Sequence, residues 1–128
     1  MPAMEPTGNC FQDAIDFINH ALETEFNASI SYVVVHAMII GSSGRRHSHA
    51  WVENVVTDEV WTAGLNDAGQ RVWLCVKDRS AFYNWLEVTD VTRYSIEQVR
   101  HELLANGHGP PWEARYRVLC ADFQRSQI

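Results

Sequence analysis

Two residues of this 128-residue chain have the type and setting for nucleophilic chemistry. Cys10 stands in Gly8-Asn9-Cys10-Phe11, at the start of an amphipathic stretch. His49 stands in Arg45-Arg46-His47-Ser48-His49-Ala50-Trp51-Val52-Glu53, behind a Gly41-Ser42-Ser43-Gly44 loop and at the mouth of an apolar run. A thiolate is the reactive form of cysteine, and a free thiol has a pKa of about 8.5. A helix N-terminus and a neighbouring imidazolium both lower that value. The first-turn backbone N–H groups of a helix have no intrahelical acceptor, so they also suit a tetrahedral oxyanion. Cys10 as nucleophile and His49 as base would therefore make a dyad for acyl chemistry.

Such a pair needs a third group to hold the imidazole tautomer. A hairpin turn centred on Thr57-Asp58 sets cross-strand positions that sum to about 115, which places His49 opposite Asn66. A bulge or a one-residue register change would offer Asp67 instead, and Asp58 falls at the far tip. Trp51 and Glu53 follow His49 on the same strand face by alternation. Trp51 is placed to shield the ring and line a substrate site, and Glu53 is either a substrate contact or a salt-bridged structural residue. Arg46, with Arg45, is either solvated loop charge or a recognition group for an acidic substrate moiety.

The elements that must position these residues follow from periodicity. Phe11, Ala14, Ile15, Ile18, Ala21 and Leu22 recur at helical spacing and predict a helix from about Cys10 to Glu25, capped by Asn9 or Thr7. Ile30–Ile40 is β-branched and apolar on both faces and predicts a central strand, with His36 inside it as a core histidine. His49–Val56 and Val60–Leu65 form a hairpin, and Arg71–Val76 extends the meander. Ser80 can cap a short helix through Trp85, although Ala81–Val88 is also compatible with extended chain. Thr89–Tyr94 is extended. Ser95-x-x-Gln98 is a capping box that opens a helix to about Ala105, ended by Asn106-Gly107. Tyr116–Phe123 is a last strand, and residues 1–8 form a tail. A helix, a run of strands, then a helix and a strand indicate a single α+β domain over residues 1–128, with a mainly antiparallel sheet.

Composition narrows the partners. A net charge of −6 argues against non-specific nucleic-acid binding. There is no run of about 18 apolar residues to span a membrane. Met1 to Pro6 carries neither a basic n-region nor an apolar h-region, so a cytoplasmic protein is expected. Cys75 and Cys120 lie in apolar runs and read as inert core thiols. A metal site on His47 and His49, joined by Cys10 or His36, is a weaker alternative; with no Cys-x-x-Cys pair and no second ligand cluster, neither a metal nor any other cofactor is expected.

Residues 8–67 also carry a resemblance. Gly8-Asn9-Cys10-Phe11 and its helix resemble the nucleophile helix of papain-like cysteine proteases, and His49-Ala50-Trp51-Val52-Glu53 resembles the His-Ala-Trp-Val-Glu strand of transglutaminase-like domains. Both belong to one superfamily with chain order Cys, His, Asn or Asp. The resemblance implies a compact papain-like core, its nucleophile helix packed on the sheet. It implies a cysteine hydrolase or acyl transferase that cleaves a peptide, protein or small-amide bond through a thioester. Two positions depart from the family pattern. Thr62 follows Val60-Trp61 where transglutaminase-like domains carry an aspartate. No glutamine precedes Cys10 to complete an oxyanion hole, so Asn9 or a backbone N–H would have to substitute. The same departures suit a non-catalytic binding or regulatory domain that keeps the fold.

Overall fold

The structure is a computed structural model and describes residues 7–40, 44–110 and 112. Helix α1 (Cys10–Thr24) is followed by a single helical turn, α2 (Ala28–Ser31), and strand β1 (Tyr32–Ile40). Strands β2 (Arg46–Asn54), β3 (Glu59–Leu65) and β4 (Arg71–Val76) come next, then α3 (Arg79–Leu86), β5 (Thr89–Ser95) and α4 (Ile96–Asn106). The expected strand Tyr116–Phe123 and Cys120 lie outside the described residues.

The five strands form one antiparallel sheet in the order β4-β3-β2-β1-β5. The first four strands are a simple meander. The fifth returns across the sheet after α3 and pairs with β1, with a register shift between His36 and Met38. The architecture is thus α+β with helices packed on an antiparallel sheet, as the element order implied.

Alternation divides the core into two. One face presents Val34 and Val52 to Ala14, Ile15, Ile18 and Ala21 of α1 and to Ile96 and Val99 of α4. The other presents Val35, Ala37, Ile39, Trp51, Val60 and Val76 to Phe82 of α3. The apolar stripe of α1 is the one that its spacing predicts. Its start carries no side-chain cap: Asn9 holds the N-cap position without a cap hydrogen bond, and its backbone N–H instead donates to Thr7 Oγ1. Arg71 ties the first turns of α1 to the sheet, with Nη1 at 3.1 Å from Asp13 and 2.9 Å from Asp16.

Three local details differ from expectation. Ile30 and Ser31 belong to α2, and the strand begins at Tyr32. The β2–β3 turn is centred one residue earlier than expected, since Val52 pairs with Trp61 and Asn54 with Glu59. Asn54 Oδ1 accepts from the backbone N–H of Val56 and Thr57, which closes the turn there. The helix after β4 is real, and its cap is Asp78, whose side chain accepts from Ala81 N–H, rather than Ser80. The capping box of α4 forms as expected: Ser95 Oγ accepts from Gln98 N–H, and Gln98 Oε1 accepts from Ser95 N–H. Gly107 ends that helix in the left-handed conformation, at φ 72°.

These packing roles predict a graded response to substitution. Phe82→Ala leaves a cavity in a fully buried site and should cost about 3–5 kcal/mol. Ser95→Ala removes one cap and should cost about 1 kcal/mol. Urea denaturation of the two variants checks the order, and equal losses would contradict the placement of Phe82.

Candidate functional site

The two residues proposed as a dyad sit on different sides of the sheet. Helix α1, headed by Cys10, covers the face that carries Val34 and Val52. On β2 the residues that share that face are Ser48, Ala50, Val52 and Asn54. His47, His49, Trp51 and Glu53 point to the face covered by α3. Ring contacts fix this side for His49: its imidazole lies 5.9 Å from the Trp51 ring, which in turn meets Phe82 at 5.1 Å and Tyr83 at 6.0 Å. Cys10 and His49 are therefore not brought together.

His49 instead shares a 3.0 Å hydrogen bond, through Nε2, with the buried hydroxyl of Thr62. Carried outward, the β2–β3 register sets Gly64 opposite His49 and leaves Thr62 as its diagonal neighbour on the same face. Burial, and after it the nearby charge of His47, push the His49 pKa down to about 4. Burial also lowers the pKa of His47, whose Nδ1 lies 3.1 Å from its neighbour's carbonyl, Ser48 O. A threonine hydroxyl can orient an imidazole, but it has no charge to stabilise an imidazolium as a carboxylate would. His49 is thus held neutral.

Asn66 is elsewhere. It opens the β3–β4 turn, where its Oδ1 accepts from the N–H groups of Ala68 and Gln70 and its amide donates to Gln70 Oε1. The earlier turn centre removes it from opposite His49. Arg46 is exposed and donates to Thr89 Oγ1, across β1 on β5. Trp51 is completely buried and donates from Nε1 to Glu53 at 2.9 Å, so it is a core residue and not a substrate platform. Asn9 remains beside Cys10 at the head of α1.

Two polar clusters emerge that the sequence did not outline. The first surrounds Glu53, which is 1% exposed. Its carboxylate accepts from Trp51 Nε1, from Tyr83 Oη at 2.6 Å and from Arg93 Nε at 3.3 Å, with Arg79 Nη1 at 3.7 Å. The Tyr83 hydroxyl in turn accepts from Arg93 Nη2 at 2.7 Å. Burial, then the Glu53 carboxylate, push the Tyr83 pKa up, so it stays a donor. Of the two roles open to Glu53, the structural one is realised. The arginines come from α3 and β5, distant in sequence, and no local pattern marks them.

The second cluster lies on the α1 face. His36 is fully buried, stacks on Tyr94 with ring centroids 4.7 Å apart, and hydrogen-bonds its hydroxyl through Nε2. Phe11, next to Cys10, meets the His36 ring edge-on at 6.2 Å. Trp112 packs against Tyr94 at 4.8 Å. Among the strand histidines, His36 is thus the one on the sheet face that α1 covers. Its position within the strand was legible, but its pairing with Tyr94 required the β1–β5 register.

Cys75 is half-buried rather than fully enclosed. Its thiol points to Glu59 Oε2 at 3.7 Å, and burial followed by the Glu59 charge raises its pKa. Among the described residues, no group of three or more His, Cys, Asp or Glu side chains is arranged to hold a metal ion. Among them, too, no helix is long and apolar enough to cross a membrane. Compared with models of known families, with curated proteins and with solved structures, the chain has no match in any of the three.

Two outcomes follow. With a folded pKa near 4 and an ordinary value of 6.5, His49 binds its proton in the unfolded chain first. Its contribution to stability is therefore complete above pH 6.5 and is lost as the pH falls toward 4, on the order of 2 kcal/mol in all. His49→Gln should flatten that part of the pH dependence in denaturation curves taken between pH 7.5 and 4.5; an unchanged slope would contradict a half-buried ring held neutral. Glu53→Ala removes the shared acceptor of one indole, one phenol and two guanidinium groups. The two arginines are more than a third exposed and can turn to water, so the loss comes from the buried indole N–H left unpaired and should be about 1–3 kcal/mol in the same assay.

Proposed function

We propose that this chain is a binding or regulatory domain on a papain-like plan, rather than a working cysteine hydrolase. One observation carries the reading: the helix headed by Cys10 packs on one face of the sheet, while the His49 ring lies on the other and hydrogen-bonds Thr62. The other members of the expected constellation have structural tasks. Asn66 closes a turn, and Trp51 fills the core. A general base must reach the proton that it removes, within hydrogen-bond distance or through one water. A neutral imidazole on the far side of a β-sheet does not meet that requirement for Cys10. The helix-on-sheet arrangement, headed by cysteine and followed by the His-Ala-Trp-Val-Glu strand, supports the papain-like plan.

A second reading has its own supporting observation. Cys10 begins a 15-residue helix whose start has no side-chain cap, and the neighbouring Phe11 touches His36. A cysteine hydrolase or acyl transferase built on Cys10 would take its imidazole from His36, with Tyr94 orienting the ring. Cleavage of a peptide, protein or small-amide bond through a thioester would then remain the chemistry, with the base moved from β2 to β1.

Thiol reactivity separates the two. Alkylation by iodoacetamide at pH 6, followed residue by residue by mass spectrometry, should label Cys10 no faster than an ordinary thiol of pKa about 8.5. A Cys10 rate roughly tenfold or more above that of a small-molecule thiol, lowered by His36→Gln and unchanged by His49→Gln, would overturn the non-catalytic reading in favour of the second.

A further inference from the structure

One end of the sheet carries an apolar surface that the fold does not use. Phe26 is 100% exposed, Ile30 74%, Val55 51% and Val56 75%. They are neighbours through the backbone. The N–H of Val55 donates to Ser31 O at 2.7 Å, which joins the β2–β3 turn to the end of α2. Phe26 and Ile30 are four residues apart across the start of that same helical turn. Scattered exposed apolar residues are ordinary, but a contiguous patch with a polar rim marks a contact surface.

Local structure does not require these side chains. The β2–β3 turn is made by Asn54, whose Oδ1 accepts from two N–H groups, and by Asp58, which takes the left-handed conformation at φ 66°. Asparagine and aspartate are ordinary turn formers; the two valines between them add nothing to the turn. Phe26 likewise precedes the N-cap of α2 and touches no core cluster among the described residues.

The rim is acidic. Glu23 and Glu25 both precede Phe26 along the chain, and Glu59 opens β3 on the other side of the valines. Among the described residues, none of the three has a lysine or arginine ion-pair partner, and Glu25 and Glu59 accept only uncharged donors, from Tyr32 and from Thr57 and Cys75, so their charge is not neutralised. Asp58 adds a fourth carboxylate, drawn to Arg79 at 3.4 Å. The whole chain is also negative, at −6. A second copy docked through this patch about a two-fold axis would set acidic rim against acidic rim. An anionic membrane surface would be repelled by the same charges.

We propose that the Phe26–Ile30–Val55–Val56 patch docks a cationic amphipathic segment of a partner protein, with apolar side chains on the patch and Lys or Arg against Glu23, Glu25 and Glu59. This names the partner class for the binding-domain reading and rests on it. It uses no residue of the Cys10 or His49 surroundings.

The test uses the full chain and two synthetic helical peptides with the same leucine face, one carrying lysines and one glutamates. The lysine peptide should shift amide NMR resonances of residues 23–31 and 54–59 and should bind more weakly as salt is raised. The glutamate peptide should not bind. The double variant Phe26→Ser/Val56→Ser keeps every charge, and should weaken the lysine peptide by roughly tenfold or more while its circular dichroism matches the parent. Equal binding by parent and double variant, or shifts centred elsewhere, overturns the patch. So does a concentration-dependent dimer in sedimentation that the double variant abolishes, or adsorption to phosphatidylserine vesicles through these residues. Failure of the peptide to bind counts against this partner alone, because the non-catalytic reading is decided separately by the reactivity of Cys10.

Discussion

The pleat of β2 is the constraint on which the arrangement depends. This strand lies in the middle of the sheet and is buried on both sides over most of its length. Successive side chains must go to opposite faces. Ala50 and Val52 face α1, whereas His49, Trp51 and Glu53 face α3. No rotation about a single residue can move His49 to the other side without taking Trp51 into the α1 core and Val52 out of it. A one-residue slip would exchange the two sets completely. The side on which the imidazole works is thereby tied to the packing of the whole domain.

The Glu53 cluster shows the same coupling in polar form. A carboxylate so thoroughly buried is tolerable only if its acceptor capacity is filled. The donors come from β2 itself, from α3 and from β5: Trp51, Tyr83, Arg79 and Arg93. The cluster therefore fastens the α3 crossover to the sheet at the place where the chain leaves the meander. It also explains why Trp51 is unavailable to a substrate, since its one polar atom is spent on Glu53. Thr62 has the parallel role one step along the strand, where it satisfies His49 without supplying charge. The same face thus holds a satisfied carboxylate and a satisfied neutral imidazole a few residues apart, an arrangement suited to a fixed core.

Much of the fold was legible because its signals are local. The helical stripe of α1, the β-branched run of β1, the Ser95–Gln98 capping box and the Gly107 stop each depend on residues a few positions apart, and each appears in the structure. The site was less so. The turn after β2 had no Asn-Gly or Gly-Asn pair to fix its centre, and the hydrogen bonds of Asn54 moved it one residue from the expected place. That displaced Asn66 and brought Thr62 to His49. The hairpin arithmetic had named Asn66 or Asp67 as the partner of His49, and Thr62 had entered only as a departure from the transglutaminase-like pattern.

What the sequence by itself determined was the type and order of α1, β1 to β5 and α4, with α2 missed and α3 left open against extended chain, and the grouping of His49, Trp51 and Glu53 on one strand face. Those depend on backbone periodicity and on short-range capping. It could not determine which helix covers that face. Ala50, Trp51 and Val52 are all apolar, so β2 reads as equally fit for burial on either side, and hydrophobicity gives no preference between α1 and α3. Only the docking of Ala14, Ile15 and Ile18 on Val34 and Val52, with Phe82 against Trp51 on the reverse, decided it. That packing pattern, which joins segments far apart in the chain, is what separates Cys10 from His49.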